Sequence, residues 1–226
     1  MKPAWGLWLA LAWPCWAQGP SPEGPSPILP APVRIEDALA KASQPIPWDQ
    51  TGTFLKGAGA AFLLHEGGHL ATSILLGAHV GTRAVKGAGI PFFAVTHTPY
   101  LSPHKEFAIS SAGFWTQHAT SEWILAKHPH LREESDPFLK GVFAFNLATS
   151  LVYAVGASSR TGPQERDTLG MATALKVDER WVGAMVLVPA LLDGYRYFHP
   201  EAAWAKWTSR SFKVAMVLLV FVVPKK

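Results

Sequence analysis

Cysteine is all but missing from this chain: its one thiol, Cys15, has no internal partner, which excludes a disulfide scaffold. Charge is also scarce. Asp, Glu, Lys and Arg make up 16% of the 226 residues, against about 25% in an average soluble domain. Twenty basic and sixteen acidic side chains leave a net charge of +4. That balance is mild and scattered, so it excludes a basic nucleic-acid face and no nucleic-acid partner is expected. No internal repeat is visible. What the chain has in quantity is apolar: 49% of its residues are hydrophobic, with ten Trp, nineteen Gly and nineteen Pro.

Residues 1–17, MKPAWGLWLALAWPCWA, run from Lys2 through an apolar core to small residues around Trp16. This pattern reads as a secretory signal peptide or, uncleaved, an N-terminal anchor, and it implies an exported N-terminal region. Trp13 and Pro14 stand before Cys15 where a lipoprotein signal needs small residues. Residues 18–50 are dense in proline and read as a linker or tail, with room for two surface helical turns at 35–42. Residues 51–226 carry five apolar stretches, at 51–80, 107–126, 138–157, 181–198 and 212–223. About 20 apolar residues cross a bilayer, so the expectation is an all-α polytopic membrane protein of about four to five apolar helices. Trp48, Trp115, Trp123, Trp181, Trp204 and Trp207 fall mostly near the ends of these stretches, as interfacial anchors do. Basic residues are spread over the connecting segments and leave the orientation open. Residues 81–105 are rich in glycine, proline and β-branched side chains, which predicts a short extended or hairpin segment. Residues 128–136 read as a polar turn and 158–180 as a charged loop.

One motif carries chemistry. His65-Glu66-Gly67-Gly68-His69 has the pattern H-E-x-x-H inside a run that otherwise reads as helix. Residues i and i+4 share a helix face, so both imidazoles can reach one metal ion, with Glu66 beside them as a general base. Two histidines and a carboxylate are costly in such an apolar run unless something binds them. Gly67 and Gly68 each disfavour a helix interior by about 1 kcal/mol relative to Ala. That cost points to close helix packing or to room for substrate beside the metal. A catalytic zinc site needs a third protein ligand and an open position. No histidine or glutamate follows His69 at metzincin spacing, and the next histidine, His79, comes ten positions on. Asp193, in VPALLDGYRYF at the end of a proline-broken apolar segment, is the candidate.

The pairing of HEGGH with a later LLDG resembles the site-2 protease family of intramembrane zinc metallopeptidases, and SPHKEFAISSAGFWTQ between them is similar to the family's polar approach into a helix with an Ala-Gly pair. The resemblance covers roughly residues 52–198. It implies a membrane metallopeptidase domain over 51–226, Zn2+ held by His65, His69 and Asp193, Glu66 as the base, and a membrane or membrane-proximal protein substrate. It also implies an integral membrane location of the bacterial inner-membrane type, with residues 87–100 forming the extended segment that offers a strand edge to an unwound substrate. Two alternatives stand beside this reading. His97, His104, His118, His128 and His130 supply histidines of the kind a di-iron membrane oxidase or hydroxylase would use, although no H-x-x-H-H cluster occurs. A non-catalytic metal-binding membrane protein would carry the same motif without turnover. His128 and His130 flank Pro129 in the polar turn, where solvated histidines are ordinary, and His118 reads as a hydrogen-bonded core residue.

Overall fold

Glycine and proline punctuate the chain into helices whose ends are individually accounted for. In the computed structural model, which describes residues 48–87, 90–97, 101–163 and 165–224, the first helix, α1, spans Trp48–Leu75. It stops where Gly77 adopts φ +65°, a conformation that glycine takes without a Cβ penalty. Lys105 Nζ then donates to the orphan carbonyl of Leu76 at 2.8 Å. The expected signal or anchor and residues 18–47 of the linker lie outside the described residues. Residues 48–50, which the composition groups with the linker, form the first turn of α1.

Next come two strands, β1 (Val80–Gly87) and β2 (Ile90–His97), paired antiparallel with Val80 opposite His97. The hairpin expected after the H-E-x-x-H helix is therefore present. Helix α2 (Pro103–Lys127) begins with Pro103 in its first turn, where a missing N–H costs nothing. Helix α3 (Pro137–Ser159) opens the same way, and the Asp136 carboxylate accepts from Leu139 N at 2.9 Å. The segment 158–180, read as a loop, contains a nine-residue helix, α4 (Asp167–Leu175). Its length of about two turns is too short for periodicity to reveal. Helix α5 (Glu179–Phe198) carries Pro189 in its interior, and α6 (Ala203–Leu218) runs into a 3-10 turn at Leu219–Phe221.

Among the described residues the fold is thus mostly helical, with one hairpin. Helix α1 packs on α2 and α3, α3 also packs on α5, α2 on α4, and α5 on α6. No Cα of α1 lies within 8 Å of one of α5. The α1–α3 crossing is tight because both sides present glycine. A Cβ on Gly57 would strike the Phe138 carbonyl, and one on Gly141 would strike the Phe54 carbonyl, so small residues let the two helix backbones approach closely.

By length and composition one described helix, α3 (Pro137–Ser159), is able to cross a membrane. Helices α1, α2 and α5 fall short because polar residues interrupt them, and those residues are turned inward: His65, His69, Gln117, His118, Asp193 and Arg196 are all buried. Large apolar side chains meanwhile face outward, among them Leu63 (61% exposed), Leu75 (83%), Val152 (68%) and Phe221 (77%). Two apolar clusters complete the interior. Phe107, Phe114, Met171, Val182, Val186 and Met216 form one, and Ala61, Ile124, Leu131, Val142 and Phe143 the other.

Candidate metal centre

His65 and His69 lie on the buried face of α1, with their Nε2 atoms 3.3 Å apart. Each ring is held by its other nitrogen. Gln117 spends its amide hydrogens on Ser150 Oγ (2.7 Å) and the Asn146 carbonyl (2.5 Å), so its Oε1 faces His65 and accepts from His65 Nδ1 at 3.1 Å. His69 Nδ1 donates to the Ile109 carbonyl at 2.8 Å. Both Nε2 atoms are therefore left as lone-pair donors to whatever lies between them.

The third member of the group is Asp167, the first residue of α4. Its Oδ2 lies 3.3 Å from His65 Nε2 and 3.3 Å from His69 Nε2. With both imidazoles neutral, three lone-pair-bearing atoms make a triangle with 3.3 Å edges, which is repulsive until a proton or a metal cation sits within it, and these three residues can hold a metal ion. Burial pushes the Asp167 carboxyl up, but the two imidazoles pull it down further, so it is held well below the usual carboxylate range. The Tyr153 hydroxyl shares Asp167 through a side-chain hydrogen bond. Its ring lies 6.1 Å from that of His65 and 5.0 Å, edge to face, from that of Phe114.

Asp167 is presented by its neighbours. Arg166 makes a two-pronged ion pair with Glu179 (2.7 and 2.6 Å), and Thr168 Oγ1 donates to the same carboxylate at 2.7 Å. Both residues flanking Asp167 are so tied to the first residue of α5. The exposed ion pair of Arg83 with Glu165 links β1 to the same loop.

Two glycines make the room. A Cβ on Gly113 would run into both imidazoles, so only glycine lets α2 pass this close to the group. Gly68 packs α1 on α2, where a Cβ would lie 2.7 Å from the Ala112 carbonyl, whereas Gly67 faces open space. Close helix packing therefore accounts for Gly68 and not for Gly67.

Glu66 accepts from the Val95 N–H at 2.9 Å. That amide lies on the edge of β2 not used by β1, so the hairpin turns its free edge toward the H-E-x-x-H glutamate.

Asp193, the expected third ligand, is placed elsewhere. It sits on α5, which packs on α3 rather than directly against the backbone of α1. Its carboxylate is taken up by Arg196 (3.0 Å), Ser209 Oγ (2.7 Å) and Lys213 Nζ (2.7 Å). The third position of the triangle belongs to Asp167, which sequence reasoning passed over inside a polar loop. The other histidines do not join the group. His128 pairs with Glu134 at 2.7 Å, His97 with Glu106 at 3.5 Å, and His118 is buried away from it. One candidate metal group is present among the described residues, whereas a di-iron site needs more ligands than three.

Comparison with family models, curated proteins and solved structures finds no match to this chain.

Proposed function

We propose that the chain is a zinc-dependent endopeptidase, similar to the site-2 proteases, that cleaves a membrane or membrane-proximal polypeptide. The observation that carries this reading is the 3.3 Å triangle of His65, His69 and Asp167 with the glutamate of H-E-x-x-H beside it. Ligand atoms about 2.0–2.1 Å from a tetrahedral zinc lie about 3.3–3.4 Å from one another, and three protein ligands leave the fourth position open. Calcium and magnesium favour six or more oxygen ligands, which these residues do not supply. The H-E-x-x-H motif and the hairpin support the family resemblance; Asp167 takes the place that the resemblance gives to Asp193.

Zinc bound there supplies a Lewis acid that acidifies a water and polarises a peptide carbonyl. Glu66 takes a proton from the water as its oxygen joins the carbonyl carbon, then returns it to the amine as the C–N bond breaks. The free edge of β2 pairs with an extended substrate, as a protease that opens a helix in lipid requires. Gln117 and the Ile109 carbonyl hold the imidazole tautomers throughout.

A bilayer location is supported by α3 and by the apolar residues exposed on α1, α3 and α6, since soluble monomers rarely present so much contiguous apolar surface. The deciding experiment uses detergent-purified chain and a quenched-fluorescence peptide library. With Glu66→Gln, zinc content by elemental analysis stays near that of the native chain while hydrolysis falls at least about 100-fold. Unchanged hydrolysis, or none in the native zinc-loaded chain, overturns the proposal in favour of a non-catalytic metal-binding protein.

A further inference from the structure

A second polar site lies on the far side of α2 from the metal centre. Helices α2 and α6 stand apart around a cavity of about 600 Å3 lined by Trp115, His118 and Glu122 from one side and Trp207, Arg210 and Lys213 from the other. Its remaining wall is apolar, ending in Val214, Val217 and Leu218, which are 57%, 41% and 52% exposed.

Two features of this cavity call for an occupant. Trp115 Nε1 and His118 Nε2 are shut off from solvent and have no hydrogen-bond partner among the described residues, and His118 itself is only 3% exposed. An orphaned buried donor costs about 1–3 kcal/mol. The charges beside them are also unequal. Arg196, Arg210 and Lys213 surround Glu122 and Asp193, with Glu122 accepting from all three cations at 2.6–3.1 Å. Three positive charges face two negative ones in a part-buried network, which leaves one in excess. Arg210 is the cation with the lightest commitment: it bonds Glu122 alone and lies over the Trp207 ring at 5.2 Å.

We propose that this cavity binds an amphiphile with a singly charged oxyanion head and an acyl chain, the head meeting His118, Trp115 and Arg210 and the chain leaving along Val214, Val217 and Leu218. One negative charge balances the excess, and an oxyanion accepts from donors that the protein leaves unused. The exit wall is apolar and offers no partner for peptide amides, so a polypeptide carboxyl terminus fits it poorly. A fatty carboxylate and a lipid phosphate share the required head chemistry.

The test is tryptophan quenching of the full chain in a maltoside detergent by 11-bromoundecanoate. Saturable quenching is expected, with a smaller amplitude in Trp207→Phe and about tenfold weaker binding in Arg210→Gln. Val217→Trp fills the chain exit without touching any charge and abolishes saturation, so it carries the test if Arg210→Gln fails to fold, as read by circular dichroism. Methyl dodecyl phosphate, a singly charged diester, competes, and its affinity relative to dodecanoate tells a lipid phosphate from a fatty carboxylate. Inorganic phosphate and acetate do not compete. Linear quenching shared by all variants, equal binding of bromoundecanol, or competition by acetate at the same concentration as dodecanoate would each overturn the proposal.

Discussion

Asp167 and Asp193 are both buried carboxylates among groups of opposite or complementary character, yet their replacement has different consequences. Asp167→Asn removes the only anionic corner of the triangle. It is expected to weaken zinc binding by about 10- to 100-fold, read by competition with a chromogenic chelator, while helix content by circular dichroism holds. Asp193→Asn leaves Arg196 and Lys213 short of a counter-charge. Breaking a buried pair costs about 3–5 kcal/mol, so the melting temperature falls and zinc stoichiometry in the folded fraction stays. The opposite pairing, zinc lost with Asp193 and kept without Asp167, would restore Asp193 as the ligand. Acidification is a further check, because both imidazoles must be neutral to bind metal. Zinc affinity is expected to fall on acidification, as protons compete with the metal for the two imidazoles, by up to about tenfold per pH unit for each histidine. His65, Glu66 and His69 were legible from spacing alone, since i and i+4 meet on any helix. Asp167 was not: a single aspartate in a charged loop has no period, and only the tertiary packing of α4 on α2 brings it within 3.3 Å of residues 102 and 98 positions earlier.

Elements explain what single residues cannot. The apolar stretches revealed four helices to within about five residues, because burial and exposure both demanded continuous apolar sequence there. Helix α6 extended N-terminal of its apolar run, since Lys206, Arg210 and Lys213 interleave with residues that still pack. Helix α4 escaped notice because its short sequence DTLGMATAL is defined by contacts rather than by pattern. The α2 passage past the imidazoles yields a sharp prediction. Gly113→Ala puts a methyl into both rings, so zinc affinity should drop at least about tenfold with the helices intact; unchanged affinity would show that α2 can retreat without cost. The hairpin yields another. Val95→Pro deletes the N–H that Glu66 accepts but none of the ladder bonds to β1, a position where proline is tolerated. If the β2 edge carries substrate, KM rises several-fold while bound zinc is unaffected.

At the scale of the described residues, many polar groups lie inside beside the two apolar clusters, and many large apolar side chains lie outside. The interior pairs histidines, glutamine, asparagine and an ionic network, while leucine, valine and tryptophan side chains such as Trp181 (73% exposed) and Trp204 (60%) look outward. Most of these polar groups find partners within the protein, which is the condition for a polar interior in a low-dielectric surround. The chain should accordingly stay with the membrane pellet after an alkaline carbonate wash and leave it only in detergent. Recovery in the wash supernatant would count against a bilayer location.

The triangle has one more consequence, for the chain's freedom rather than its chemistry. His65 and Asp167 stand 102 residues apart in sequence, and everything between them, the hairpin and helices α2 and α3, forms a loop that a bound ion closes. Closing a loop of that length restricts the unfolded ensemble by about 4–5 kcal/mol on the chain-entropy account used for disulfides. In a protein that keeps no cysteine among its described residues, an ion bound by this group would act as a removable cross-link. A chelator would then do more than silence a site: it would unfasten the middle of the molecule.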